Sequence, residues 1–336
     1  MHTEHLGLTP LESDMSAKHL AQFEAFVDAV TAHDGTSAFS EQTLVAVRQE
    51  SAARTDGTHN RSASKARLFF ISNDDSEILG AWVAVVPTPD AAGVLEGAVS
   101  PKHRGRGVAS QAVSFVISAL GKENLSQYTA WVHQVLTGEG DAIASAAEQL
   151  TSQYGFTPVR ELHKMAVLLT DDSRTRIENA TKNAALPEGI AIKTFEPATD
   201  ALAWLTLNAA AFASHPEQGK LTHDDLAQRM ESSWFDARGF FIAHAPNGLA
   251  GYHWTKVETA EEGEVYAVGI SPAWQGKKLG KALTLTGMNH LAQYRTENGA
   301  QLERIVLYVD DDNQAAMHLY RSLGFEDLSV DRMYTH

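Results

Sequence analysis

The sequence predicts an α+β chain in which one domain occurs twice, each copy a mixed, mostly antiparallel sheet flanked by helices. First, candidate strands occur in meanders mixed with helices rather than in strict strand–helix alternation. Second, each half has a Ser-Pro pair followed by a Gly-rich loop, Ser100-Pro101 and Ser271-Pro272, at an offset of 171 residues (271 minus 100). Third, Gly155-Phe156 matches Gly324-Phe325 at an offset of 169 (324 minus 155). Two landmarks that occur in the same order in both halves, at nearly the same offset, indicate an internal repeat.

In the first half, apolar residues at helical spacing predict a helix over 16–32, and Ser40 is a candidate N-cap for a second helix over 40–50. The pattern that follows predicts strands at 67–72, 78–86 and 93–99, a helix at 107–120, a strand at 129–135, a helix at 141–152 and a strand at 162–169. A length of 336 residues also suggests two domains.

The polar segment 171–188 has no apolar period and ends at Pro187 and Glu188. We interpret it as a linker between an N-terminal domain, 1–170, and a C-terminal domain, 189–336. The second half then repeats the order of the first, with strand 190–194, helices near 200–212 and 222–235, strands 239–244, 248–257 and 264–270, helix 279–294, strand 304–309, helix 313–323 and strand 328–334.

Composition limits the class of protein. The 43% hydrophobic and 21% charged content is ordinary for a globular protein, and no apolar run approaches the roughly 20 residues of a membrane span. The absence of cysteine excludes disulfides and a cysteine nucleophile, and together with an N-terminus that lacks a secretory pattern it predicts a cytoplasmic protein. A formal charge of −15 argues against nucleic acid or a membrane as partner. The sequence is compatible with a monomer and does not determine the oligomeric state.

The stretch 263–280 gives the first functional hypothesis, an anionic cofactor. It contains an apolar strand that stops at Ser271-Pro272, a loop rich in Gly and Lys, and the start of a helix. Unpaired amide N–H groups and the positive end of the helix dipole meet there, which favours phosphate. The first half has the same design with a basic cluster, Lys102, His103, Arg104 and Arg106. From the charges alone, a solvated surface loop remains the alternative.

The order of elements, with R/Q-x-x-G-x-G/A opening the helix after a central strand, resembles the GNAT N-acyltransferase superfamily, whose members bind acetyl-CoA at this loop. More narrowly, the second half resembles the mycothiol synthase family, whose members acetylate the cysteinyl amine of cysteinyl-glucosaminyl-inositol, a small molecule. The blocks that carry this narrower resemblance are His215-Pro216-Glu217-Gln218-Gly219, Tyr252-His253-Trp254-Thr255-Lys256-Val257, Gly263-Glu264-Val265-Tyr266, Leu307-Tyr308-Val309, Ser322-Leu323-Gly324-Phe325 and Ser329-Val330-Asp331.

The resemblance implies acetyl-CoA as the acetyl donor. The cofactor-binding residues that it implies in the second half are Val268, Gly269, Ile270, Gln275, Gly276, Lys277, Lys278, Leu279, Gly280, Lys281, Asn313, Gln314, Ala315, Ala316, Met317 and His318. Those in the first half are Gly97, Ala98, Val99, Arg104, Gly105, Arg106, Gly107, Val108, Ala109 and Ser110. No metal is predicted, because the histidines contain no H-E-x-x-H motif and no paired-ligand pattern.

One position departs from the family pattern. The first family glycine of the C-terminal loop is Lys278 here. A lysine is unfavourable where the backbone needs a positive φ. Two outcomes stay open: the turn shifts to Gly276, or the lysine adds a phosphate contact.

Amide formation from a thioester needs a neutral amine and a proton for the leaving thiolate, with pKa values of about 8 and about 8.5, so a weak base and a weak acid suffice. The resemblance implies Glu264 as general base, acting through water, and Tyr320 as general acid. Without the resemblance, we would interpret Glu264 as a solvent-exposed glutamate at the start of a strand and Tyr320 as a core residue. The counterpart of Tyr320 is Thr151, four residues before Gly155, so the first half is predicted to be non-catalytic.

For the acceptor, the resemblance implies contacts from Glu264 and from Glu41, Glu217, Lys256 and Tyr308. Two alternatives remain at this point. One is a tandem acetyltransferase that acts on another amine, such as an aminoglycoside or a protein or peptide amine. The other is a non-catalytic pair of CoA-binding modules that act as a sensor or scaffold.

Overall fold

The computed structural model describes residues 8–55, 65–89, 91–136, 140–213, 218–296 and 298–336. The described chain forms two compact units. Unit 1 comprises Met1–His163, Asp310–Asp312 and Leu328–His336, and unit 2 comprises Lys164–Val309 and Asn313–Asp327.

Unit 1 is a sheet with helices on both faces. Its strands are β1 (Thr9–Glu12), β2 (Ala66–Ser72), β3 (Ile78–Val85), β4 (Gly93–Val99), β5 (Tyr128–Val135), the first part of β6 (Thr157–Leu168) and most of β12 (Glu326–Thr335). Its helices are α1 (Ala17–Asp34), α2 (Glu41–Thr55), α3 (Val108–Leu120) and α4 (Gly140–Gln153). The strand order is β1-β2-β3-β4-β5-β12, with β4 and β5 parallel and the other neighbours antiparallel.

Alternating residues of β2 contribute to the two larger cores described in unit 1. Leu68 and Phe70 of β2 pack with Phe23 of α1, whereas Phe69 and Ile71 pack in a second cluster that α3 completes. This is the period of two expected for a strand that is buried on both faces. Helix α1 begins at the cap Ser16, whose side chain accepts from the His19 N–H, and ends at Gly35 with a φ of 75°.

Unit 2 repeats the arrangement. Its strands are the end of β6, β7 (Ala191–Thr194), β8 (Phe240–Ala245), β9 (Gly248–Val257), β10 (Glu262–Ile270) and β11 (Arg304–Asp310). Its helices are α5 (Asp171–Lys182), α6 (Pro197–Ala211), α7 (His223–Glu231), α8 (Leu279–Gln293) and α9 (Gln314–Ser322). The order is β6-β11-β10-β9-β8-β7, with β10 and β11 parallel and β7 to β10 antiparallel.

The two larger of the clusters described in unit 2 cover the faces of this second sheet. On the α6–α7 face, Trp204 and Leu226 pack with Phe240, Tyr252 and Trp254 of the strands. On the other face, residues of α5, α8 and α9 pack on β6, β10 and β11, including Ile177, Met288, Met317, Met165 and Leu307. The predicted fold, two copies of a mixed sheet flanked by helices, is therefore confirmed. Every predicted strand and helix has a counterpart in the structure.

The segment 171–188, expected to be a linker, differs from its prediction because it begins with helix α5. Thr170 caps this helix by accepting from the Ser173 N–H at 3.2 Å, and Asp171 and Asp172 occupy its first turn. Its buried side chains are Ser173 and Ile177. One buried apolar side chain is too few to show a helical period, so the cap and the acidic first turn were the available signal.

Most of the last strand, β12, lies in unit 1 and not with the rest of the predicted C-terminal domain, 189–336. Residues 329–335 of β12 pair antiparallel with β5, with Asp331 directly opposite His133, so the end of the second half completes the sheet of unit 1. A strand pattern predicts extended structure and an apolar face, but it does not specify which other strand supplies the hydrogen bonds.

Candidate active site

A gap between β10 and β11 defines the centre of the candidate site in unit 2. The two strands pair in parallel only over Glu262–Val265 and Arg304–Leu307. Beyond this point, Val268, Gly269 and Ile270 continue to pair with β9. Among the described strands, the other edge of this segment has no partner. An unpaired strand edge can hydrogen-bond an extended ligand as if the ligand were a further strand.

A β-bulge at Tyr266 marks the start of the gap. The register of β10 on β9 shifts between Val265 and Ala267. Val265 and Val268 pack in the cluster of the α8–α9 face, whereas Tyr266 and Ala267 both pack in the cluster of the α6–α7 face. Two successive side chains on one face are the signature of a bulge. The sequence reasoning missed this feature, because an ordinary alternation of polar and apolar residues does not show where an extra residue enters.

Glu264 precedes the bulge and, by alternation with Val265, lies on the α6–α7 face. It is partly buried, and it pairs directly opposite Lys256 of β9. Burial raises the pKa of the Glu264 carboxyl above its ordinary 4.5; Glu258 and Glu262 add to this, and Lys256 and Lys164 oppose it. Its carboxylate makes no hydrogen bond or ion pair within the described ranges. A carboxylate in this state can accept a proton at a higher pH than an exposed one.

Lys256 is a fixed cation on the same face. Its Nζ lies 2.7 Å from an oxygen of Glu258, and it sits over the rings of Trp234 and Tyr266 at 5.1 and 5.6 Å. Only 14% of the side chain is exposed. These contacts hold the ammonium close to the strand that carries Glu264.

Tyr320 lies on the opposite face of the sheet. Its side chain is buried in the cluster that contains Val265, Val268 and Leu307, with its ring 5.8 Å from that of Phe325. Burial raises the pKa of the phenol to about 12. No described residue is a hydrogen-bond partner of the hydroxyl, so the phenol keeps its proton at neutral pH and can donate it in a hydrogen bond.

The loop between β10 and α8 has almost the same backbone conformation as the loop between β4 and α3. The φ values are 72° at Gly276 and 71° at Gly105, and 64° at Lys278 and 80° at Gly107. In each loop a side chain binds the carbonyl of the last strand residue: Gln275 donates to Ile270 at 3.4 Å and Arg104 donates to Val99 at 3.3 Å. The turn has therefore not shifted to Gly276, and Lys278 adopts the left-handed conformation of the glycine that it replaces.

This loop fits a diphosphate. Lys278, the N-cap residue of α8, makes no side-chain cap hydrogen bond, so the first amide N–H groups of the helix remain available. A Cβ built at Gly276 meets no atom within 4 Å, which shows open space beside the turn. Lys277, Lys278 and Lys281 are exposed around it. Amide donors, a helix N-terminus and three ammonium groups together match the chemistry of a phosphate ligand.

The model of the Acetyltransferase (GNAT) family matches residues 36–141 and 204–325. The chain belongs to this family. Mycothiol acetyltransferase of Rothia mucilaginosa (strain DY-18) is 41% identical over 334 residues, covering 96% of this chain and 91% of the relative. Mycothiol acetyltransferase of Kocuria rhizophila (strain ATCC 9341 / DSM 348 / NBRC 103217 / DC2201) is 40% identical, covering 92% of this chain and 93% of the relative.

Solved structures share the fold of this GNAT acetyltransferase. A GCN5-related N-acetyltransferase from Sphaerobacter thermophilus matches with a TM-score of 0.66 at 17% identity, covering 98% of this chain and 95% of the other. A tandem GNAT protein from the clavulanic acid biosynthesis pathway matches with a TM-score of 0.63 at 14% identity, covering 98% of both chains. At these identities the likeness shows the tandem GNAT fold and nothing about the substrate.

In the GNAT acetyltransferase, α9 carries the remaining cofactor residues that the sequence predicted. Asn313 caps this helix, with its side-chain oxygen accepting from the Ala316 N–H at 3.2 Å. Gln314, Ala315 and His318 are exposed, whereas Ala316 is partly and Met317 fully buried. Gly280 lies in the first turn of α8, and Leu279 is buried beneath it.

The predicted cofactor residues of unit 1 lie in the corresponding places. Gly97, Ala98 and Val99 end β4, which pairs with β5 only over Gly93–Leu95. Gly105, Arg106 and Gly107 form the loop, and Val108, Ala109 and Ser110 open α3. The guanidinium of Arg104, in contrast, bonds both carboxylate oxygens of Asp34, at 2.9 and 2.6 Å. Arg104 is thus engaged with the protein, and a phosphate would have to compete with Asp34 for it.

Unit 1 also differs from unit 2 at the positions that correspond to the β10 bulge and to Tyr320. Strand β4 pairs with β3 in continuous register from Val94 to Val99, without the bulge found in β10. Thr151, the counterpart of Tyr320, donates its hydroxyl hydrogen to the backbone carbonyls of Ala147 and Glu148. That the first half does not catalyse stays a prediction.

The predicted acceptor residues fall in different settings. Tyr308 on β11 is 47% exposed, and the Nζ of Lys164 lies 5.8 Å from its ring centre. Glu41 is the exposed first residue of α2 in unit 1. Glu217 lies outside the described residues.

Two further findings concern the described ranges only. They contain no group of three or more His, Cys, Asp or Glu side chains that could hold a metal ion. In the same ranges, no helix has the length and hydropathy that crossing a membrane requires.

The left-handed lysine gives a stability prediction for the loop. Replacing Lys278 with glycine removes a side chain from a conformation that costs a non-glycine residue about 1 kcal/mol. We expect Lys278→Gly to raise the free energy of unfolding by about 0.5–1 kcal/mol, as measured by urea denaturation. The matched control is Lys277→Gly, at a position whose φ is not positive. It is expected to lower stability, and equal effects of the two variants would contradict the argument.

Proposed function

We propose that this protein is an N-acetyltransferase that transfers an acetyl group from acetyl-CoA to the cysteinyl amine of cysteinyl-glucosaminyl-inositol, with catalysis in unit 2. The observation that carries the chemistry is Glu264, a partly buried carboxyl with a raised pKa and no protein partner in the described chain, two residues before the gap between β10 and β11 begins at Tyr266. The choice of acceptor is supported by relatives named mycothiol acetyltransferase that are 37–41% identical over nearly the whole chain.

The residues around the gap fit acetyl-CoA. The open edge of Val268 and Ile270 would align the amides of the pantetheine arm as an added strand. The backbone of Gln275 to Gly280 would hold the diphosphate, with Lys277 and Lys278 beside it. When bound, acetyl-CoA supplies a thioester whose carbonyl carbon accepts the amine.

Two side chains handle the protons. Glu264 would accept the proton of the acceptor ammonium, through a water molecule, so that the neutral amine can attack. As the C–N bond forms and the C–S bond breaks, the nitrogen would lose its second proton through the same water to the CoA thiolate or to solvent. Tyr320 would donate a hydrogen bond to the departing sulfur. Because its pKa of about 12 exceeds the roughly 8.5 of a thiol, the phenol stabilises the developing thiolate mainly as a hydrogen-bond donor rather than by complete proton transfer.

The acceptor carries hydroxyl groups and one cationic amine. Lys256 and Tyr308 are proposed to bind its hydroxyls, and Glu264 its amine. Glu41 and Glu217 stay predictions of the family resemblance. Unit 1 is proposed to hold acetyl-CoA without turnover or to act structurally. We place the reaction in the cytoplasm, on the support of a chain without cysteine.

The test is an acetyl-transfer assay of the purified protein with acetyl-CoA and cysteinyl-glucosaminyl-inositol, beside an aminoglycoside and a peptide with a free N-terminal amine. Release of CoA with the sugar–inositol amine, at a kcat/KM well above that for the other acceptors, is the expected result. Turnover of only another amine would reject the acceptor, and no turnover of any amine would favour a CoA-binding sensor.

A further inference from the structure

A row of charged and aromatic side chains crosses the α6–α7 face of unit 2 beside Glu264. It runs from Lys164 of β6 over Tyr308 of β11 to Glu262 of β10, on three strands that are neighbours in the sheet. Residues next to these positions in the same strands pack in the cluster of the opposite face, namely Met165, Leu307 and Val265. Alternation along a strand therefore places the row on the face that carries Glu264.

Two contacts fix the ammonium group of Lys164. Its Nζ lies 3.3 Å from a carboxylate oxygen of Glu262 and 5.8 Å from the centre of the Tyr308 ring. Only 16% of the Lys164 side chain is exposed, whereas Tyr308 is 47% exposed. A cation within about 6 Å of a ring centre is attracted to the face of the ring. Lys164 therefore restricts the orientation of a phenol that is open to solvent.

Glu262 has a second cationic partner besides Lys164. Its other carboxylate oxygen accepts from Nε of Arg304 at 2.6 Å, and the two residues lie directly opposite each other in the parallel pairing of β10 and β11. A carboxylate that loses its only partner in a partly buried place is costly, but Glu262 keeps Arg304 when Lys164 is replaced. A substitution of Lys164 therefore tests the function of its charge with little damage to the strand pair.

Lys164 also acts on Glu264 through space. Charged groups of the described chain that act on the Glu264 carboxyl are Lys256, Glu258, Lys164 and Glu262. Burial raises the pKa of this carboxyl, the two glutamates add to the rise, and the two lysines oppose it. From α7, Arg229 reaches the same part of β10, where its Nε donates to the Tyr266 hydroxyl at 3.1 Å. Removing one of the two lysine charges should raise the pKa of Glu264 further.

We propose that Lys164 is a positioning residue of the acetyl-transfer site, which holds the Tyr308 ring for contact with the acceptor and supplies one of the positive charges beside Glu264. This inference rests on the proposed function, in which Tyr308 binds an acceptor hydroxyl and Glu264 binds its amine. It assigns a role to a residue that the sequence reasoning did not single out.

The test is Lys164→Met, which keeps the length of the side chain and removes its charge. We expect the KM for cysteinyl-glucosaminyl-inositol to rise about two- to fivefold, the value of one exposed cation–π contact. The acidic limb of kcat/KM should move to higher pH, because a base with a raised pKa is protonated earlier as the pH falls. With cysteine amide, which has the reacting amine without the rings, the limb should move in the same way and the KM should not change.

Two further variants serve as controls. Lys164→Arg keeps the charge and should leave the acidic limb in place. Lys182→Met removes an exposed ammonium of α5 that is paired with Glu178, and it should change neither the KM nor the limb. Lys164→Gln, which keeps a hydrogen-bond donor for Glu262, replaces Lys164→Met if that variant does not fold.

A double-mutant cycle separates the two effects of Lys164. In a Tyr308→Leu background, Lys164→Met should no longer raise the KM for the full acceptor, while the acidic limb should still move. Three outcomes overturn the inference: an unchanged KM in the folded variant, an equal rise for both acceptors, and an acidic limb that stays in place.

If the unaltered protein acetylates no amine, the proposed function fails by itself. The action of Lys164 on Glu264 is then measured without turnover, by NMR titration of isotope-labelled glutamate carboxyls, with Glu264→Gln identifying the signal. A Glu264 pKa that is higher in Lys164→Met supports the inference, and an equal pKa rejects it.

Discussion

Replacing Glu264 with glutamine is expected to lower kcat of acetyl transfer by about a hundredfold to ten-thousandfold, the usual contribution of a positioned general base. The amide is nearly isosteric with the carboxyl but cannot accept the ammonium proton. Since Glu264 makes no hydrogen bond or ion pair in the described chain, the substitution leaves no protein group without a partner. The affinity for acetyl-CoA, measured by calorimetry, should stay close to that of the unaltered protein.

The pH profile distinguishes a base from a residue that only shapes the site. Because burial raises the pKa of Glu264 above 4.5, kcat/KM of the unaltered protein should fall as the pH drops through that raised value and the base becomes protonated. The residual activity of Glu264→Gln should lack this acidic limb. Tyr320→Phe should retain it and lose less activity, since a phenol with a pKa of about 12 contributes mainly one hydrogen bond. An unchanged kcat in Glu264→Gln would contradict the assigned role.

The second large effect concerns a buried charge cluster of unit 1. Glu96 of β4 has a side chain with no exposed surface, and its carboxylate lies 3.5 Å from Nε2 of His133. The Nδ1 atom of His133 lies 2.9 Å from Asp331 of β12. The other oxygen of Glu96 accepts from the Ser40 N–H at 2.9 Å, at the start of α2. The cluster thus connects two central strands, a helix start and the strand contributed by the end of the chain.

His133→Ala is expected to lower the free energy of unfolding by about 3–5 kcal/mol, because it leaves Glu96 as an uncompensated buried charge. The measurement is urea denaturation of the whole chain, with the transition of unit 1 followed separately where the units unfold in two steps. The control Arg48→Gln breaks an exposed pair with Glu24 and should change stability by less than about 1 kcal/mol. A His133 effect as small as the control would show that the cluster does not stabilise the fold.

The same cluster predicts how stability depends on pH. Burial alone would lower the pKa of His133, but Asp331 and Glu96 outweigh it and raise the pKa from 6.5 to about 9. The folded state therefore keeps a proton that the unfolded state releases above about 6.5. The resulting stabilisation, on the order of 3 kcal/mol, is complete below pH 6.5 and is lost as the pH rises towards 9. His133→Ala should remove this alkaline loss, and a wild-type stability that is flat across this range would contradict the prediction.

Several parts of the site could be predicted because their signals lie within a few residues. The Ser-Pro pairs and glycines at 105, 107 and 276 specify the two loops, and the structure confirms that the loops have matching backbone conformations. The cost of positive φ at Lys278 is also a local property, although whether the turn would move was decided by the strand and helix on either side of it. The roles assigned to Glu264 and Tyr320 stay predictions.

Other features depend on contacts between distant residues. The bulge at Tyr266 brings two successive side chains to one face, and no local pattern showed it. Glu96, His133 and Asp331 lie on three strands from opposite ends of the chain and looked like unrelated polar residues. Helix α5 was not predicted, because a single buried isoleucine does not show the apolar spacing of a helix.

By itself the sequence determined the repeated mixed-sheet fold, the two Gly-rich loops and the absence of cysteine chemistry, because backbone preference and hydrophobic period are properties of neighbouring residues. Only the tertiary structure decided that the last strand completes unit 1 and that burial raises the pKa of Glu264. These depend on which distant segments pack together, and packing sets both the local dielectric and the available hydrogen-bond partners.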